Sequence, residues 1–157
     1  MRYIFTRKPG SLIDSAIRGF DSGGVSHVGI ESPLVPGVVV HTTLLRGVHV
    51  LPREEFDAGR EIVRICDLPL VDEQAALEWL RAQVGKGYDI TAIIGMPLLR
   101  NWQDENRWYC FELAMASALR GGYELLSRPT EIGGRLCLEL MHAWSEPLTL
   151  ENRLTLA

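Results

Sequence analysis

Cys110 sits near the start of the helix-like stretch RWYCFELAMASALRGG (107–122), while His27 and His41 stand on two earlier runs, VSHVGIE (25–31) and GVVVHTT (37–43), that alternate like strands. A free thiol is mostly protonated at neutral pH, so a cysteine becomes a nucleophile when the fold supplies a base or lowers its pKa. Five residues, Ser32 to Pro36, separate the two histidine strands. A hairpin centred on Leu34 pairs 31 with 37, 29 with 39 and 27 with 41, placing the two Cβ atoms of His27 and His41 about 4.5–5.5 Å apart. One imidazole then takes the thiol proton and the other fixes its tautomer and supports the imidazolium. Gly29, lacking a side chain, leaves space beside His27 for a substrate.

The thiol needs its own positioning. Asn106 is a candidate N-cap for a helix running from about Trp108 to Arg120, which places Cys110 at the end of the first turn. Unpaired N–H groups and the positive end of the helix dipole favour a thiolate there. Trp108 and Tyr109 are placed to wall the site. The competing reading is plain core: a cysteine among Ala, Leu and Met usually fills space, as read for Cys66 and Cys137, and a single strand histidine is usually a satisfied polar partner. The joint pattern of helix-start cysteine and two histidines in register separates this chain from that reading.

The elements that must carry these residues are legible in outline. Tyr3–Thr6 forms a strand, and Ser11 caps a helix with Leu12, Ile13, Ala16, Ile17 and Phe20 on one face. GVHVLP (47–52) and EIVRICDL (61–68) add two more strands. Asp72 opens a helix through Val84, with Ala75, Ala76, Trp79, Leu80 and Val84 inward, stopped by Gly85 and Gly87. YDITAIIGMPLL (88–99) reads as a helix interrupted at Pro97, NWQDENR (101–107) as a polar loop and PLLRNWQDEN (97–106) as a candidate lid; a last helix starts near Ile132, with a short strand as the alternative, and a polar tail follows. Strands first and helices afterwards give an α+β class, with an antiparallel sheet or small barrel packed against helices.

Composition narrows the function classes. The 157 residues, 46% hydrophobic and 23% charged, suit one domain, 1–157, with its core over about 1–140. Net charge is −4, and only two of sixteen basic residues are lysines, with no basic cluster; nucleic acid is not an expected partner. No apolar run nears the roughly 20 residues of a membrane span, and charges at Arg2, Arg7 and Lys8 interrupt any signal-peptide core. The expected location is cytoplasmic, unless another route exports the chain. Three widely spaced cysteines without a CxxC fit neither a disulfide framework nor a zinc knuckle. A turn about Leu45 would bring His49 opposite His41 and create a row of three histidines able to bind zinc. Gly47 points instead to a turn at Arg46-Gly47, which breaks that pairing. The expectation is therefore no metal and no cofactor. His142 reads as a complement to a helix C-terminus.

SHVGI (26–30), a following strand with a polar residue at His41, then GKGYD (85–89) and WYCFEL (108–113), in this order, resemble the circularly permuted branch of the NlpC-type papain-like cysteine hydrolases. Lecithin:retinol acyltransferase-like proteins and YiiX-like bacterial proteins are relatives of that branch. The resemblance implies a permuted papain-like fold and a triad of Cys110 as nucleophile, His27 as base and His41 as third member. It also implies an oxyanion role for Tyr88, beside the Cys110 amide. The implied substrates are peptides or acyl amides and esters, cleaved or transferred through an acyl-enzyme. Phe111 departs from the pattern, which has a small residue after the cysteine, and is expected to narrow the pocket; a binding module without turnover is the alternative. Glu112 follows the pattern and is expected on its own helix's amides or an Arg.

Overall fold

The computed structural model describes residues 1–9, 24–90, 106–123 and 139. The helix read at 12–20, the helix beyond Ile90, the candidate lid, Cys137, His142 and the polar tail lie outside them. The described part is α+β, built on an antiparallel five-stranded sheet. Its strands are β1 (Arg2–Arg7), β2 (His27–Glu31), β3 (Val38–Thr43), β4 (Gly47–Pro52) and β5 (Glu61–Asp67), in spatial order β4-β3-β2-β1-β5. A short helix α1 (Arg53–Asp57) follows β4, α2 (Glu73–Gln83) follows β5, and α3 (Cys110–Arg120) follows a two-stranded parallel ribbon, β6 (Gly87–Tyr88) with β7 (Arg107–Trp108). Among the described residues no helix is long and apolar enough to cross a membrane.

Strand alternation sorts the core into two layers. Tyr3, Phe5, Val28, Ile30, Val40 and Val48 point to one face and pack with Cys110, Phe111, Leu113 and Ala114 of α3. Ile4 and Val39 point to the other face and close over Phe56 of α1. The three inner strands, β3, β2 and β1, are thus buried on both sides, which is why their apolar residues run almost without interruption. Tyr3 and Ser117 join first strand to last described helix through a buried hydroxyl pair at 3.0 Å.

Helix α2 starts where the sequence places it. The Asp72 carboxylate accepts from the Ala75 amide at 2.9 Å, relieving one orphan N–H of the first turn. Its buried residues are Ala76, Leu77, Leu80 and Gln83, while Val84, read as inward, is the C-cap and is exposed. Gln83 takes that inward place because it is polar at both ends of its contact: its amide donates to the Trp79 carbonyl and its carbonyl accepts from the Trp108 indole.

Both hairpins differ from the expected registers. In the first, Ile30 pairs with Val40 and Glu31 with Val39, so the turn centres on Val35 rather than Leu34. The cause is local: Glu31 accepts the Gly37 amide at 2.8 Å and Ser32 accepts the Val35 amide at 3.0 Å, holding residues 32–37 out of the ladder. The slip is even, so every side chain keeps its face. In the second hairpin His41 pairs with His49 and Thr43 with Gly47. Gly47 therefore marks the left-handed residue closing a three-residue turn, at φ +61°, and not a two-residue turn at Arg46-Gly47. Its missing side chain has a second use: a Cβ there would lie 2.1 Å from the Lys86 carbonyl oxygen, the acceptor for the Val48 amide.

Candidate active site

His27 opens β2 and His41 lies in the middle of β3, on the face covered by α1. His27 Nε2 and His41 Nδ1 are 2.9 Å apart, a hydrogen bond, with the rings at 84° and their centroids 5.2 Å apart. The pairing expected from the sequence forms, although the two residues are not direct register partners. Phe56 holds the pair in place, 6.0 Å from the His27 ring and 5.3 Å from the His41 ring. His49 extends the group: its ring lies 4.2 Å from that of His41, and its Nδ1 donates to the Gly47 carbonyl at 2.8 Å. The row of three histidines set aside at the sequence level is therefore present. No group of three metal-ligating side chains forms among the described residues. Two of the ring nitrogens face one another at hydrogen-bond distance, which leaves no room for an ion between them.

Cys110 is the first residue of α3, one turn nearer the start than an Asn106 cap would give, because Arg107 and Trp108 are held as a strand by β6 and Tyr109 becomes the N-cap. Glu112 reaches back to accept the Tyr109 amide at 3.2 Å, half of a capping box and the role expected for it. The sulfur lies against the main chain of Val28, next to His27. The N–H groups of Val28, Phe111 and Cys110 itself, and the Arg60 guanidinium, all favour a thiolate. Burial outweighs them and pushes the thiol up to about 12. Burial likewise holds His27 well below the usual imidazole range and brings His41 down to about 3, with the charges of Arg60 and the neighbouring imidazoles acting the same way. At rest the thiol and the two rings are neutral, held on either side of β2. Cys110 packs in the α3 layer and the rings in the α1 layer, and among the described residues no hydrogen bond joins the sulfur to either ring.

The remaining expected site residues divide. Tyr88 is on strand β6, not in a helix, and its ring meets that of Tyr109 edge-on at 6.3 Å, which sets it beside the residue preceding the thiol. Trp108 is half-buried, stacked edge-on with Trp79 at 5.2 Å, and its carbonyl accepts from the Thr42 hydroxyl. Tyr109 is buried against Phe111 at 5.3 Å. Two expectations are corrected. Gly29 does not open space for a substrate: a Cβ there would lie 2.6 Å from Phe56 and from Val39, so the protein fills the room itself. Phe111 does not narrow an open pocket, because it is fully buried and stacked on Phe5 at 6.4 Å.

Arg60 and Phe56 escape a sequence reading altogether. Arg60 follows α1, its guanidinium lying 5.2 Å from the Phe56 ring centre, and it is the fixed positive charge felt by all three candidate groups. Neither residue stands in a recognisable motif, and only the α1 turn brings them over the histidines.

Fold and site together define an α+β protein in which a helix-start thiol and a hydrogen-bonded imidazole pair flank the same strand. No protein-family model matches the chain, and no curated protein matches it.

Proposed function

We propose that the chain is a cysteine-dependent hydrolase or acyltransferase acting on an amide or ester bond of a peptide or acyl substrate, on a permuted papain-like fold. One observation carries the reading. His27 is tied to His41 through Nε2, which leaves Nδ1 as its base nitrogen, and the Cys110 sulfur lies against the adjoining residue under three backbone N–H groups. In the reaction His27 Nδ1 takes the Sγ proton, Sγ bonds to the carbonyl carbon, and the Cys110 amide with Tyr88 holds the oxyanion. The leaving amine or alcohol departs with the proton from His27. Water or a second acceptor then releases the acyl group.

The neutral resting pair defines what substrate must do. Binding has to bring the thiol and ring into hydrogen-bond contact, since the transfer requires heavy atoms roughly 2.6–3.2 Å apart. A second reading, a binding module without turnover, draws support from the near-complete burial of Cys110, which is 1% exposed. Alkylation by iodoacetamide, followed site by site from pH 6 to 10 by mass spectrometry, separates the two. Cys66, fully buried on β5, serves as the internal control for access. The hydrolase reading expects Cys110 to react faster than Cys66, and His27→Ala to slow Cys110 alone by about 10²-fold. A Cys110 rate indifferent to His27 would sink it.

A further inference from the structure

Two neutral imidazoles joined by one hydrogen bond have two proton arrangements. His27 Nε2 and His41 Nδ1 share a single proton across 2.9 Å, and each neutral ring carries one proton in all. In the first arrangement His41 donates from Nδ1, its Nε2 keeps a lone pair, and His27 carries its proton on Nδ1. In the second His27 donates from Nε2, its Nδ1 keeps a lone pair, and His41 carries its proton on Nε2. Only the second offers a thiol a base at His27 Nδ1. Passing from the first to the second moves one proton, net, from His27 Nδ1 to His41 Nε2, and both rings stay neutral.

The surroundings decide between them. His41 Nε2 is buried, in a residue 3% exposed, and has no hydrogen-bond partner among the described residues. The His49 ring, its centroid 4.2 Å away, makes no hydrogen bond with it. The fixed charges that act on His41 are Arg60 and Arg46, which donate and cannot accept. The second arrangement therefore leaves a buried N–H unmet, which shifts the ratio by about tenfold or more. It also moves a proton toward positive charge, because Arg60 acts on both rings and Arg46 adds to it at His41. His27 Nδ1 is not an orphan of this kind: His27 opens β2 and is 7% exposed.

We infer that His41 is a positioning residue that donates to His27 Nε2 and so holds His27 in the tautomer unable to act as a base, leaving the site switched off at rest. His27 Nδ1 is still the nitrogen placed to take the thiol proton, but it has a lone pair only in the minor arrangement. The purpose of this brake rests on the hydrolase reading, whereas the tautomer itself does not. A residue at position 41 that accepts where Nδ1 now donates makes His27 donate from Nε2 and frees its Nδ1. Oδ1 of Asn or Asp lies two bonds from Cβ, as Nδ1 of His does, so either side chain puts an acceptor there, and the Asp carboxylate only accepts. Removing the ring then raises reactivity, a sign that a merely structural histidine would not give.

Long-range proton–nitrogen correlation spectra of the 15N-labelled full chain at pH 7.5 assign each neutral ring. The wild type is expected to show His27 and His41 both as Nδ1–H. In His41→Asn and His41→Asp, His27 is expected to switch to Nε2–H, and Cys110 alkylation by iodoacetamide to rise about tenfold. An Nε2–H form of His27 in the wild type overturns the inference, as does an Nδ1–H form that persists in both variants. A Cys110 rate that falls despite the switch overturns it as well. The alkylation rate also separates the two proposals. If His27 switches while the Cys110 rate ignores both the switch and His27→Ala, the role of His41 stands and the hydrolase reading falls. If the rate rises with the switch, both stand.

Discussion

Strand β2 carries polar groups at its two ends on one face, and it treats them in opposite ways. At Glu31 the carboxylate meets opposite charge: Arg53 donates at 3.1 Å, Arg2 lies 3.8 Å away, and Arg53 also holds Asp57. At His27, two strand positions beyond the Phe56-filled gap at Gly29, the partner is another imidazole and the nearby charge, Arg60, repels protonation. A purely structural need is met by the first solution, because the buried Glu31 carboxylate is satisfied by opposite charge and by the Gly37 amide. The second keeps two titratable rings neutral at a cost in acid, and retains nitrogen lone pairs that a charge pair would consume. Buried groups held away from their ordinary protonation behaviour mark a candidate site for chemistry.

Acid is the strongest lever on this contrast. The folded pKa values of His27 and His41 lie below the unfolded value near 6.5, so the unfolded chain binds more protons as pH falls. Stability is therefore full above about 6.5 and declines toward 3, with a limiting slope of about 1.4 kcal/mol per pH unit for each ring. Urea midpoints from pH 7.5 to 4.5 are expected to drop steeply in wild type and less in His27→Gln. A flat wild-type curve would mean that the two ends of β2 are equivalent. Phe56→Ala comes next, at about 3–5 kcal/mol, because it empties the space between them. Gly29→Ala is expected to cost about 1–3 kcal/mol by collision with Phe56, and less in the Phe56→Ala background; additive losses would disprove the contact. Glu31→Gln keeps an acceptor for the Gly37 amide but loses the charge facing Arg53, and is expected to cost about 1–3 kcal/mol, with Cys110 alkylation unchanged.

The sheet was readable because alternation with β-branched residues is a local signal, and the cap at Asp72 is as local. The partnership of His27 and His41 was readable too, since parity survives an even slip in register. What failed depended on contacts far along the chain. Gly47 looked like a two-residue turn because nothing near it announces the Lys86 carbonyl. Gly29 looked like vacant space because Phe56 arrives 27 residues later from a five-residue helix with no strong signature. Phe111 looked like a pocket residue by position, but helix rotation is set by the Tyr109 cap and Phe5, which turn its ring into the core. Tyr88 looked helical because the parallel pairing with Arg107–Trp108 spans an interval that no local pattern announces.

The β3–β4 hairpin has a consequence for how the molecule is made. All of its ladder bonds, and both His41 and His49, lie within residues 38–52, so it needs nothing synthesised later to close. His27 joins it from the strand before. Cys110 emerges 58 residues after the hairpin ends at Pro52, which at ribosomal speed is about 3–12 s. The imidazoles can be seated before any thiol exists for them to meet, and the nascent cysteine arrives at a finished surface.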